Sequence, residues 1–298
     1  MMKFFLALTC GWGLLFAQTV NVVDTKIKVK IAGFNGHVSL YAKNLETGAT
    51  YNLDGDTAVR TASTIKFPIM IECFAEAAEG SLDLAESIKL TEEEKVSGSG
   101  ILQDLSSGKE YRIHDLIMLM ITLSDNTATN VILNRIGGNA VNARMAKLGL
   151  EQTRSMRKIL GDGNKLKLVP TGITDEGAKP ENKKWGIGRS SPREMVILLE
   201  KVYRGELVNK TASGEMLDIL KKQRDHSGIA RDLKDVVVAN KSGALDALRS
   251  DVGIAFAKQG PIAMAITVDG MPTPDWSEDN PGELLISAIS EVLIESLR

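Results

Sequence analysis

The stretch RTASTIKFPIM, residues 60–70, places Ser63 three positions before Lys66 at the head of an almost wholly apolar run, FPIMIECFAEAA. Residues i and i+3 share a helix face, so an amine lies beside a hydroxyl there. A helix that is apolar all round is a buried helix, and it carries its lysine inward. Burial disfavours the ammonium and lowers its pKa, which turns the amine into a base able to take a serine proton. Pro68 is tolerated in the first turn or at a kink. The competing use of the same residues is structural, with Ser63 capping the helix and Lys66 reaching back to water.

The spacing S-x-x-K occurs three times, at Ser63/Lys66, Ser106/Lys109 and Ser155/Lys158. Ser106 lies in LSSGKEYR, a polar turn containing glycine, and Ser155 in TRSMRKILGDG, a basic stretch entering a glycine loop. Neither heads an apolar helix, so context selects Ser63.

Outward from this segment the chain changes period twice. GHVSLYAK (36–43) alternates with Val38, Leu40 and Ala42 on one side, and ATYNL follows a short LETG turn, which predicts a hairpin. From Ser63 to about Val208 the pattern is helical, through IHDLIMLMITL, NTATNVILNRIG, NAVNARMAKLG and SPREMVILLEKVYRG. Ser191-Pro192 with Glu194 is a helix start, and Gly137 and Gly149 are natural stops. Strands return after Asp235 in VVVANKSG, RSDVGIAFAK and PIAMAITVDG, and a last helix follows Asn280-Pro281. The expected assembly is α/β in the α+β sense. The terminal strands join in one antiparallel sheet covered by the last helix, beside an all-helical lobe. The sheet lobe takes about 18–60 and 209–298, the helical lobe about 61–208, and the cleft between them is where a ligand is expected. Residues 153–190 form a connection long enough to suggest a functional loop.

Composition excludes other classes. Hydrophobic residues at 43% and charged residues at 25% are those of a globular chain. A net charge of −2 without a long basic run gives no electrostatic footprint for nucleic acid. His37, His114 and His226 have no metal-ligand spacing, so neither a metal nor another cofactor is expected. Residues 1–17, with Lys3 and an apolar run from Phe4 to Phe16, read as a cleavable secretory leader too short for a membrane span. Its removal takes Cys10 and leaves Cys73, mid-helix, so the mature chain forms no internal disulfide and keeps no membrane anchor.

Two more short motifs occur once each. LSDNTATN places Ser124, Asp125 and Asn126 between two helices, and ANKSGA places Lys241, Ser242 and Gly243 at the end of a strand-rich run. Each has an ordinary local use, as a helix cap and as a turn. Arg249, on the strand after that turn, can reach a carboxylate with two prongs or serve a surface ion pair.

The ordered set S-x-x-K, S-D-N and K-[ST]-G resembles that of the class A β-lactamases and penicillin-binding proteins. The resemblance extends through STIKFPIM, ITLSDNTATNVIL, PREMVILLEK, KSGALDALRSDVGIAF and the final helix. It implies a sheet flanked by helices beside a helical lobe, with the active site between them. It also implies that Ser63 is acylated, that Lys66 takes or relays its proton, and that Ser124 protonates the leaving nitrogen. By the same resemblance Lys241 holds Ser124 and the substrate carboxylate within the Lys241-Ser242-Gly243 turn, Asn126 binds the side-chain amide, and the N–H groups of Ser63 and Ala244 form the oxyanion hole. The implied partner is a small β-lactam or a peptidoglycan-like peptide, met by a monomer in the periplasm.

One departure stands out. The family's deacylating glutamate lies in E-x-x-L-N, and no such sequence occurs in 153–190. Alignment of TRSMRKIL with that loop puts Ile159 at the glutamate position, leaving Asp175, Glu176 and Glu181 as substitutes. A β-lactamase, a D-alanyl-D-alanine peptidase or esterase, and an acylated sensing module all share the first chemical step.

Overall fold

The structure, a computed structural model, describes residues 22–161 and 172–298. The leader read at 1–17 and the middle of the 153–190 connection lie outside these residues.

Residues 22–31 form helix α1. The hairpin β1 (His37–Asn44) and β2 (Thr50–Leu53) follows, then the short strand β3 (Val59–Arg60). A 3-10 turn, Ala62–Ile65, runs directly into α2 (Lys66–Glu79). The middle of the chain holds β4 (Ser87–Lys89), β5 (Glu110–Arg112), α3 (Ile113–Thr122), α4 (Asn126–Ile136) and α5 (Gly138–Lys147). Short pieces come next: β6 (Arg154–Ser155), α6 (Asp175–Ala178) and β7 (Gly188–Ser190). Then come α7 (Pro192–Arg204), α8 (Lys210–Leu220), β8 (Val237–Leu245), β9 (Leu248–Ala257), β10 (Gly260–Asp269) and α9 (Pro281–Ser296).

The main sheet has the order β2-β1-β10-β9-β8, with every pair antiparallel. The first long strand therefore pairs with the last, His37 opposite Asp269 and Asn44 opposite Ile262. Both faces are covered. Val38, Leu40, Ala42, Ala255, Met264 and Ile266 pack under α1 and α9, while Tyr41, Val252, Ile254 and Ala265 pack against the helices on the other side. This is why β9 and β10 read as nearly continuous apolar runs and not as strict alternation.

α2 is the core helix of the second cluster, with Phe67, Ile69, Met70, Ile71, Cys73 and Phe74 all buried. Each large side chain contributes about 1.5–3 kcal/mol by leaving water. Pro68 sits in the first turn, and Gly80 ends the helix in the left-handed region, φ 79°. α7 starts as its sequence predicts, with Ser191 accepting from Glu194 N and Pro192 at the first position. Two helices depart from the sequence expectation, which contains neither. α1 buries only a narrow stripe, Val23 and Ile27, and α8 includes Thr211, Ser213 and Gly214 in its first turns, which disfavour helix and are held in one here through packing on α7. No helix among the described residues is long and apolar enough to cross a membrane.

Candidate active site

Ser63 lies in the 3-10 turn that delivers the chain from β3 into α2, and it is partly exposed. It does not cap the helix, whose N-cap is Ile65. Immediately before it, Ala62 holds φ 47°, a left-handed conformation unusual for a residue with a Cβ. Ser124 holds φ 53°. Such conformations cost of order 1–3 kcal/mol each and persist where surrounding structure enforces them, often at sites of function.

Lys66, the first residue of α2, is fully buried. Its Nζ lies 2.7 Å from Ser124 O, 3.2 Å from Ser124 Oγ and 2.9 Å from Asn126 Oδ1. Burial, reinforced by the nearby charge of Lys241, pushes its pKa well below that of an ordinary lysine, with Asp125 opposing. The other two lysines of the S-x-x-K pattern, Lys109 and Lys158, belong to no such arrangement; Lys158 donates to Asn134 on the surface.

The Ser-Asp-Asn turn is held in place by its middle residue. Asp125 is buried and accepts from Ala128 N (2.8 Å), capping α4, and from Ile101 N and Leu102 N (2.7 and 2.9 Å), tying down the preceding loop. Asp125 thus supplies the cap, while Ser124 and Asn126 on either side of it contact Lys66. Gly100, at φ 102°, leaves room for that carboxylate: a Cβ would sit 2.3 Å from Asp125 Cγ. Asn126 donates from Nδ2 to Ser97 O at 3.2 Å while accepting from Lys66.

β8 forms the opposite wall. Lys241 is fully buried, donates to Ser242 O at 2.7 Å, and titrates at about 8 because burial outweighs the support of Asp225 and Asp251. Gly243 lies against the Ser63 turn; a Cβ on it would be 2.9 Å from Ser63 N and from Thr61 O. The two-residue hairpin between Leu245 and Leu248 makes that pair a hydrogen-bonded one, so the next pair, Ala244 and Arg249, is non-hydrogen-bonded. Since β8 is an edge strand, the Ala244 N–H points out of the sheet into open space beside Ser63. The register thus leaves the Ala244 N–H outside the sheet ladder, next in the chain to Gly243, which packs on the Ser63 turn.

Arg249 is placed differently from expectation. By its pairing with Ala244 it shares a sheet face with Ser242, opposite to that of Lys241, and its contacts decide what it does. Its guanidinium donates to Leu245 O (2.6 Å), Leu248 O (2.7 Å) and Asp275 O, lies 3.4 Å from Glu283, and stacks 4.8 Å from the Trp276 ring. It holds a hairpin and a loop together and is not offered to a ligand. Burial, followed by repulsion from Asp251 and Asp225, raises Glu283 to about 8.

The deacylation candidates are also set apart. Glu176 is bonded to Lys179 (2.6 Å) and Asn182 (3.1 Å), and the lysine holds its carboxyl below the usual range. Asp175 and Glu181 are exposed. Ile159, by contrast, lies beside the site: Asn130 grips its backbone with two 2.8 Å bonds, one to the N–H and one to the carbonyl. Asn130 is one turn after Asn126 on α4, a spacing from which the sequence could have given it. No group of His, Cys, Asp or Glu among the described residues has the arrangement of a metal site.

Comparison with known proteins follows this geometry. A family model described as the β-lactamase enzyme family matches residues 22–297. The chain is 24% identical over 235 residues to β-lactamase AER-1 of Aeromonas hydrophila, covering 77% of this chain and 71% of that protein. It is 23% identical over 288 residues to β-lactamase VEB-1 of Pseudomonas aeruginosa, covering 93% and 90%. Among solved structures, a β-lactamase from Sphaerobacter thermophilus superposes with a TM-score of 0.79 at 27% identity, covering 92% of this chain and 96% of that one. A mutant of PBP-A, captured as an acyl-enzyme complex with penicillin G, superposes with a TM-score of 0.77 at 27% identity, covering 92% and 95%.

Proposed function

The chain belongs to the β-lactamase enzyme family and is a serine β-lactamase-like hydrolase, and from that premise we propose that it opens β-lactam rings by the class A route, through an acyl-enzyme on Ser63. The observation that carries the reading is Lys66: a fully buried amine of lowered pKa, one turn from Ser63 and 3.2 Å from the Ser124 hydroxyl.

In the proposed sequence Ser63 Oγ attacks the lactam carbonyl and its proton passes to neutral Lys66. The negative oxygen lies between the N–H groups of Ser63 and Ala244; one such donor typically changes the rate about 100- to 1000-fold. As the ring C–N bond breaks, the nitrogen takes the Ser124 proton, and Lys66 restores that proton to Ser124. Asn126 binds the substrate's side-chain amide, while Lys241 and Ser242 line the region of its carboxylate. Export by the leader at 1–17 would put a monomeric enzyme in the periplasm with such substrates.

Ile159 favours a slow second step. A positioned general base contributes typically about 100- to 10,000-fold, and an alkyl side chain at this place offers none. A mutant of PBP-A, a protein this chain resembles, was captured carrying a penicillin acyl group, which supports acylation as the first step, and Ile159 would let that adduct last. A peptidase or sensor role would draw on that property. Intact mass after mixing with benzylpenicillin tests the reading: wild type gains one equivalent and Ser63→Ala gains none. An adduct on the Ser63→Ala variant would overturn the assignment.

A further inference from the structure

Trp276 lies in the segment that joins β10 to α9, and nothing in the proposed reaction uses it. It is 64% exposed, yet the chain around it is fixed. Met271 N donates to Ala247 O at 3.1 Å, which ties the start of the segment to the hairpin between β8 and β9. Asp275 O accepts from Arg249 and, at 2.8 Å, from Asn280 Nδ2, while Asp275 Oδ1 accepts from Ser277 N at 2.8 Å. Arg231 holds the far side, donating to Glu278 O and to Asp279 Oδ1, the latter at 2.6 Å. Pro272 and Pro274 restrict the chain further. An indole on so fixed a backbone loses little freedom when a ligand settles on it.

The contacts of Arg249 place the ring. The guanidinium lies over the indole, 4.8 Å from its centre, and is itself buried, so it covers one face and the exposed area belongs to the rest of the ring. The same guanidinium donates at 2.6 Å to the carbonyl of Leu245, the residue after Ala244. Arg249 pairs with Ala244 and shares a sheet face with Ser242. Trp276 therefore stands at the hairpin end of the β8 wall, on the Ser242 side of it, whereas Asn126 lies on the opposite wall.

A substrate whose carboxylate runs along Lys241 and Ser242 and whose side-chain amide meets Asn126 turns its carboxylate end toward Trp276. In a cephalosporin the ring carbon next to the one bearing the carboxylate carries a variable group. Aromatic groups there can stack, offset or edge to face, on an indole.

We propose that Trp276 is a specificity-determining residue: its open face stacks on a flat aromatic group that the substrate carries next to its carboxylate, so the site favours cephalosporins with such a group. This deepens the reading above and rests on the acylation of Ser63.

The test compares nitrocefin, which carries a dinitrostyryl group next to its carboxylate, with cephalothin, which has the same acyl side chain and carboxylate but an acetoxymethyl group in that place. Rates of adduct formation at low concentration, followed by stopped-flow absorbance, give kcat/KM for each compound in wild type, Trp276→Phe, Trp276→Leu and Trp276→Ala. The nitrocefin-to-cephalothin ratio is expected to fall about two- to tenfold in the Leu and Ala variants, the usual worth of an aromatic pair, and to stay near wild type in Trp276→Phe. An indole that only shields Arg249 would slow both compounds alike when removed and leave the ratio unmoved. A fall of less than twofold in either the Leu or the Ala variant, or an equal fall in Trp276→Phe, overturns the role of Trp276 while leaving acylation intact. Absence of any Ser63 adduct from both compounds in wild type overturns the acylation reading and this inference with it.

Discussion

Gly243→Ala probes the contact between β8 and the nucleophile turn. The added methyl would meet Ser63 N and Thr61 O at 2.9 Å and Thr64 N at 3.0 Å, against about 3.4 Å for ordinary contact. All three are backbone atoms of one turn, so no side chain can swing aside. The strand and the turn must separate by about 0.5 Å, and overpacking of this kind costs about 1–3 kcal/mol. At roughly 2–4 °C per kcal/mol for a chain somewhat smaller than this one, Tm should fall by a few degrees. The effect on chemistry is larger than on stability. Separation pulls the Ala244 N–H away from the Ser63 N–H, and loss of one oxyanion donor slows acylation about 100- to 1000-fold. Stopped-flow acylation with a chromogenic cephalosporin, alongside a thermal melt, measures both. Acylation within threefold of wild type at an unchanged Tm would refute the geometry assigned to these donors.

Three further outcomes follow from the same structure. Ile159→Glu, its backbone still gripped by Asn130, should speed loss of the penicillin adduct about 100-fold or more, as seen by intact mass over time; an unchanged adduct lifetime would show that the side chain does not face the acyl group. Lys241 titrates at about 8, and only its ammonium attracts an anion, so kcat/KM for benzylpenicillin should fall as pH rises through 8 and the methyl ester should fall less; parallel profiles would refute the role. Glu283, raised to about 8 by burial and then by Asp251 and Asp225, holds a proton in the folded chain that the unfolded chain releases at lower pH. Its contribution to stability is thus full below about pH 4.3 and lost as pH rises through 8, so Glu283→Gln should melt above wild type at pH 8.5 and with it at pH 5. The same Tm difference at both pH values would refute that account.

The sequence carried the site in its ordered motifs because each is local: Ser63 and Lys66 lie in one turn, as do Ser124 and Asn126, and Lys241 and Gly243 lie on one strand. What lay beyond it was long-range. What Arg249 binds depended on Asp275 and Glu283, residues 26 and 34 positions further along the chain. The place of Trp276 depended on a segment anchored to Ala247 and Arg231, residues distant in the chain. The long strands and the helices α2 to α5 were legible from period, whereas α1 and α8 were not, because packing and not pattern makes them helical.

The pairing of the first long strand with the last governs the order in which this molecule can be assembled. As the chain leaves the ribosome, β1 emerges early with only β2 for a neighbour, and its other neighbour, β10, ends at Asp269. Ser63 is likewise made long before Lys241, so the helical half can collapse while the wall of the cleft does not yet exist. Sheets closed by such distant pairings form slowly, and their unpaired strands are open to other chains while they wait. A chain cut short before Gly260 should therefore yield an aggregating fragment with β1 exposed on one side, and not a weak enzyme.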